Sequence, residues 1–278
     1  MIFIRNLIAT VMLAHSPTAA LACPIEDMIN SVGAGMTVTL PPGTHDCDHP
    51  IILTRDITIK GDNFTVVQAE FHITSGATVH IIGPLLHQVY KPDTPPPGDS
   101  SPIMIQDAQI MVRGGASLWL DDLTADADIT AHKGFVHAVG SSVYLRAQNA
   151  PMVVKYGAVT PAIAIRAYYG SYLMMASFSA TNRVTVYTSG IPSGVYIASS
   201  QLTMLQATIA STGAANTQCL SLARSSLVSI HGASAFYTCQ LGITYQHGAR
   251  AWVDPAVTYF QVPTKSYHYV LPGEQTLQ

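Results

Sequence analysis

The chain runs to 278 residues, of which 48 % are hydrophobic and only 10 % charged, with a formal net charge of −3. Soluble domains are usually about 25 % charged; here Ser, Thr, Gly and Ala take up the difference. That balance offers no basic surface for a nucleic-acid partner, and no apolar run beyond residue 22 is long enough to cross a bilayer as a helix.

Arg5 precedes an apolar run over residues 7–14, which His15, Ser16 and Pro17 break, and Ala20 and Ala22 set small residues before a cleavage site. Residues 1–22 therefore read as a secretory signal peptide, with 23–278 as a single domain bound for the periplasm, the cell surface or the medium. A retained anchor and a lipidated Cys23 are the alternatives. Behind the leader, Ile25, Met28, Ile29 and Val32 recur at helical spacing, predicting a short helix that caps whatever follows. The cysteines are Cys23, Cys47, Cys219 and Cys239. In an oxidising compartment the economical pairing is Cys23–Cys47 and Cys219–Cys239, one of three that four cysteines permit. His45, Cys47 and His49 share one face of an extended segment and have the ligand types of a zinc site, but a disulfide at Cys47 removes its thiolate.

Residues 35–44 read Gly-Met-Thr-Val-Thr-Leu-Pro-Pro-Gly-Thr, and residues 57–61 read Ile-Thr-Ile-Lys-Gly. Together they resemble the opening coil of pectin-lyase-like right-handed parallel β-helix proteins, which include polysaccharide lyases, glycoside hydrolases and phage tailspikes. The resemblance implies an all-β, right-handed, single-stranded parallel β-helix, with residues 23–61 as N-terminal cap and first coil. It carries the fold and leaves the activity open, because this fold hosts many activities.

From residue 76 a small turn followed by alternating residues recurs, as in Gly76 to Ile81, Gly115 to Leu120, Gly140 to Leu145, Gly170 to Met175, Ser199 to Met204, Ser225 to Ile230 and Gly248 to Val253. From Gly115 onward the steps are 25, 30, 29, 26 and 23 residues; the longer first step contains a Pro-rich insertion at 90–102. A second alternating strand precedes most of these turns, as at 135–139, 163–167 and 219–223. Each repeat thus reads strand, tight turn, strand, variable connection. A period in the twenties made of strands is the mark of a solenoid, in which each coil is stable only when stacked.

That phase assigns side chains to faces, since neighbours along a strand alternate. Val79, Leu118, Val143, Leu173, Leu202, Val228 and Ala251 form one inward ladder. Ile81, Leu120, Leu145, Met175, Met204, Ile230 and Val253 form a second. The outward ladder between them runs His80, Trp119, Tyr144, Met174, Thr203, Ser229, Trp252, and the next outward position runs Ile82, Asp121, Arg146, Ala176, Leu205, His231, Asp254. Trp119 should therefore lie beside Tyr144, and Asp121 beside Arg146. Aromatic rings cover sugar faces and an Asp–Arg pair bonds hydroxyls or a uronate, so these four are the candidate ligand-binding residues. Ordinary cross-strand stabilisation would call for the same pairs.

Asp121, Asp122, Asp126 and Asp128, followed by His132 and Lys133, form the densest charged segment. Paired carboxylates serve glycoside hydrolysis, and clustered acids hold Ca²⁺; a solvated loop is the plain alternative. In a lyase reading Arg146 or Lys133 abstracts a proton, Asp121 or Asp122 holds the Ca²⁺, and Asp126 and Asp128 are further cation ligands. Trp119-Leu-Asp-Asp122 is similar to the Trp-Ile-Asp-His segment of pectate lyases, with Asp in place of His. Asp121-Asp122 and His231-Gly232 resemble two polygalacturonase fragments, but four coils at about 4.8 Å each put them roughly 19 Å apart, too far to share one glycosidic bond. Three functions stay open: an exported binder of polysaccharide or another extracellular macromolecule, needing no cofactor; a carbohydrate-active enzyme; and a structural part of a surface or phage-like assembly, which would be oligomeric.

Overall fold

The computed structural model describes residues 23–47, 49–62, 64–83, 85–88, 108–127, 134–157, 163–179, 181–189, 193–212 and 217–268. The segment 1–22, read from the sequence as a signal peptide, lies outside them, as do the insertion 90–102, Asp128, His132 and Lys133. The described chain is all-β apart from one helix, and its strands form three parallel sheets of nine strands each. Every turn of the chain lays one strand on each sheet: Ser142–Ala147 on the first, Met152–Gly157 on the second, Ile163–Tyr168 on the third, then Tyr172–Ser177 on the first again. The chain is a parallel β-solenoid.

Both expected ladders of the first sheet exist in the expected register, from Val79–Leu118–Val143 through Leu173–Leu202–Val228 to Ala251. All members are buried except Ala251 and Val253, which are half-buried. The strand Arg250–Val253 is the edge of its sheet, so only one neighbour covers them.

One element differs from the sequence expectation. The connection read as variable contains a third strand, such as Met152–Gly157, Val184–Ser189 or Thr208–Thr212. Its inward register runs Tyr156–Thr188–Ser211, all buried. Two hydroxyl residues on the inner face break the apolar alternation that betrays a strand. Thr188 satisfies its hydroxyl by donating to the Ala210 carbonyl at 3.3 Å.

The recurring turn has a backbone cause. Each corner from the third sheet to the first enters the left-handed region: Gly140 has φ 55°, Gly170 80°, Ser199 49°, Ser225 58° and Gly248 73°. Glycine adopts it without a Cβ penalty. The next residue is small and, apart from the half-buried Ala249, buried, and where it is Ser it bonds the corner together. Ser171 donates to the Tyr168 carbonyl at 2.6 Å, and its oxygen accepts from the Ser141 amide at 3.3 Å.

The N-terminal end is capped as expected. Helix Pro24–Asn30 starts at the N-cap Cys23 with Pro at its first turn and buries Ile25 and Ile29. Arg55 donates to the Ile29 carbonyl at 2.7 Å, and the Cys23–Cys47 disulfide ties the helix start to the first coil. The second disulfide, Cys219–Cys239, joins the third-sheet strand Gln218–Ala223 to the corner before the next one. It closes a loop of 20 residues. Replacing both Cys219 and Cys239 by Ala should lower the unfolding free energy by about 3 kcal/mol, read as a shifted urea midpoint; an unshifted midpoint would show that the bridge constrains nothing. Among the described residues no helix is long and apolar enough to cross a membrane.

Candidate functional site

The outer face of the first sheet gathers the residues that carry chemistry. Asp121 ends the strand Ser117–Asp121, and Arg146 stands opposite it in the strand Ser142–Ala147. The guanidinium grips the carboxylate with two bonds, Nε to Oδ1 at 2.7 Å and Nη2 to Oδ2 at 2.5 Å. His80, one strand back, brings Nε2 to 2.9 Å from Asp121 Oδ2 and 3.0 Å from Arg146 Nη2. With its side-chain amide turned over, Gln148 accepts from Arg146 at 3.0 Å through its oxygen. Asp121 is only 5 % exposed although its position faces outward, because Arg146 and His80 cover it.

Trp119 and Tyr144 stack with centroids 3.8 Å apart and planes 9° from parallel. Arg146 Cζ lies 4.3 Å from the Trp119 ring centre. His80 stands edge-on to Trp119 at 5.8 Å, and Tyr172 stands edge-on to Tyr144 at the same distance. The register places all four candidate residues together. The geometry also shows how they are used: the ring faces are taken up by one another, by Arg146 and by flanking rings. The result is a rigid block, with Arg146 held by a carboxylate fork and an indole face.

Asp122 has a structural post. It sits at φ 53° at the following corner, and its carboxylate accepts from the Gln148 amide at 2.6 Å and the Asn149 amide at 3.0 Å. Asp122 thus locks the corner of the next coil. Both oxygens of Asp121 and both of Asp122 are engaged within the chain. Asp126 lies in the strand Thr124–Ala127 beside Lys155 in register. The Asp121-Asp122 and His231-Gly232 fragments are four strands apart, through Arg146, Ala176 and Leu205.

The histidine string near the N-terminus is tied into the cap. His45 Nε2 is 2.8 Å from the Pro41 carbonyl, and His49 Nε2 is 2.7 Å from Glu26 Oε2. Among the described residues Cys23, Glu26 and His49 bring possible ligand atoms within 4.8 Å of one another. The Cys23 sulfur is bonded to Cys47, so no thiolate is present and one carboxylate and one imidazole remain. That donor set falls short of a tetrahedral zinc site.

Further along the same outward ladder lies an open trough of about 440 Å³. Thr203 and Ser229 floor it, Trp252 closes one end, and Leu227 and Arg250 line one rim. Trp252 is 53 % exposed, and its ring lies 4.8 Å from His231. On the other side Met174 stands opposite Thr203 on the ladder, and the Tyr172 hydroxyl donates to Thr203 at 3.2 Å. Sequence reasoning placed Thr203, Ser229 and Trp252 on this ladder but looked for the densest cluster of rings and charges. The signal was the reverse: two small hydroxyl residues between large ones leave a gap.

No known family, no curated protein and no solved structure matches the chain.

Proposed function

We propose that the protein is an exported, right-handed solenoid of the pectin-lyase-like kind that binds a polysaccharide along the outer face of its first sheet. The trough carries the proposal. It combines a hydroxyl floor with a half-exposed indole, the pairing of polar contacts and apolar ring that a sugar presents. Trp119 and Tyr144 stand on the same ladder, with Asp121 and Arg146 on the row beside it, and Trp119 is five strand steps from Trp252. At about 4.8 Å per step the two are roughly 24 Å apart, so a chain of several sugars laid along the axis meets both. Two disulfides fit an oxidising compartment. Strand–crossover–strand connections in parallel sheets are right-handed in about 98 % of cases. Binding fits better than turnover because the Asp121 and Asp122 oxygens are already bonded within the chain.

The test is retention of the protein by neutral polysaccharides in affinity electrophoresis. Trp252→Ala is expected to weaken retention about tenfold, which is about 1.4 kcal/mol, with no change in melting. Unchanged retention, or none by the unmutated protein on any polymer, overturns the proposal. New reducing ends or unsaturated products, with or without Ca²⁺, would make the face an active site.

A further inference from the structure

The third sheet has a different character. The molecule carries 16 acidic against 13 basic side chains. None of the acids lies in a strand of the third sheet, nor, from residue 74 on, in the corners that lead from it to the first sheet. Arg113 and Arg166 stand in its strands and Arg224 in one of its corners. Ion pairs occur away from this sheet, at His49–Glu26 and around Asp121.

These arginines surround a tyrosine cluster. Tyr168 packs 5.5 Å from Tyr196 and 6.1 Å from Tyr169, and His137 meets its edge at 5.2 Å. Arg166 faces Tyr196 in register, and the next residue in that row is Ser221. Beside them the row from Tyr168 continues through Ala198 and Ala223, both small and buried. Tyr169 is 64 % exposed, and Arg113 and Arg224 are exposed.

Arg166 is the telling residue. It is half-buried, and its Nε is fully buried with no hydrogen-bond acceptor. That nitrogen is closed to solvent, so a ligand meets this side chain only through the part of it that remains exposed, and a carboxylate or sulfate is the group that pairs best with a guanidinium. Burial pushes the Tyr168 hydroxyl up while the Arg166 and Arg224 charges pull it down, so both guanidiniums bear on one ring.

We infer that this face is a second binding site, for an anionic polysaccharide, with Arg166 and Arg224 taking the anionic groups and Tyr168, Tyr169 and Tyr196 covering the sugar rings. The site lies on a different face from the proposed trough and does not rest on it.

The experiment measures affinity for immobilised dextran sulfate, for a polyuronate and for neutral dextran. The unmutated protein is expected to bind at least one of the anionic polymers in dilute salt and to be released as salt shortens the Debye length from about 30 Å toward about 3 Å. Preference for the sulfate or the carboxylate arm identifies the anion. Arg166→Gln with Arg224→Gln should weaken binding at least about tenfold. Arg113→Gln with Arg224→Gln removes only exposed charges and should weaken binding as well, which guards against a folding defect at Arg166. Lys155→Gln removes one charge from the exposed face of the second sheet and should leave affinity within about twofold. Failure to bind either anionic polymer overturns the inference, and so does equal weakening by Lys155→Gln, since charge anywhere would then suffice. Trp252→Ala should leave anionic binding intact, so the failure of either site is distinguishable from failure of the other.

Discussion

Asp121→Ala is expected to lower the unfolding free energy by about 3 kcal/mol, at the lower end of the range for breaking a buried ion pair. Asp121 is the hub of the first-sheet block, bonded to two atoms of Arg146 and close to His80. Its removal leaves a guanidinium that is only 18 % exposed facing an imidazole, with nothing to neutralise it. The residual exposure of Arg146 lets water recover part of the loss, which sets the lower end. The pair itself contributes much less than this figure, because burying both charges has already cost desolvation. Asp121→Leu combined with Arg146→Met should therefore lie within about 1 kcal/mol of the unmutated protein, since a Met side chain can still cover Trp119. Urea unfolding of the single and double variants forms the comparison. If both are destabilised alike, packing rather than uncompensated charge holds the block together.

How much of this could be read from the sequence depended on whether a position is set by periodicity or by what surrounds it. The first sheet was legible because its inward residues are uniformly apolar and because Gly or Ser falls at each left-handed corner. The helix cap and both disulfides were legible for similar local reasons. The second sheet was hidden by Thr188 and Ser211 on its inner face, positions that look solvent-facing until a neighbouring carbonyl accepts from one of them. The pairing of Asp121 with Arg146 followed from the register, but the burial of Asp121 did not, since it depends on His80 as well, two strands from Arg146. Asp122 looked like a member of an acid cluster. Its positive φ and its bonds to the Gln148 and Asn149 amides emerge only once the next coil is stacked on it.

The same distinction applies to function. A ladder lists what each coil contributes, and it singles out large or charged members. A binding trough is made by what the ladder omits. Thr203 and Ser229 are unremarkable one at a time; between Met174 and Trp252 they form a floor. The third-sheet arginines are likewise separated by about fifty residues along the chain and converge only because Tyr168, Ala198 and Ala223 stack in register.

A solenoid should also distribute its stability unevenly, and this separates Leu145→Ala from Val253→Ala. Leu145 is fully buried between Leu120 and Met175 in the middle of the first sheet. Truncating it removes apolar contact and leaves a cavity that strands fixed on both sides cannot close, so a loss of roughly 3–4 kcal/mol is expected. Val253 sits half-buried at the sheet edge and has a partner on one side only, Ile230. There the loss should be about 1 kcal/mol or less, since less area is buried and the end can relax. Contacts in such a stack are mainly between neighbouring coils, so terminal coils open at lower free energy than central ones. Amide exchange resolves the two cases. Val253→Ala should accelerate exchange only within residues 241–268, whereas Leu145→Ala should lower protection throughout. Equal and global effects from both substitutions would mean that the stack unfolds as one unit, with stability shared by every coil regardless of its place.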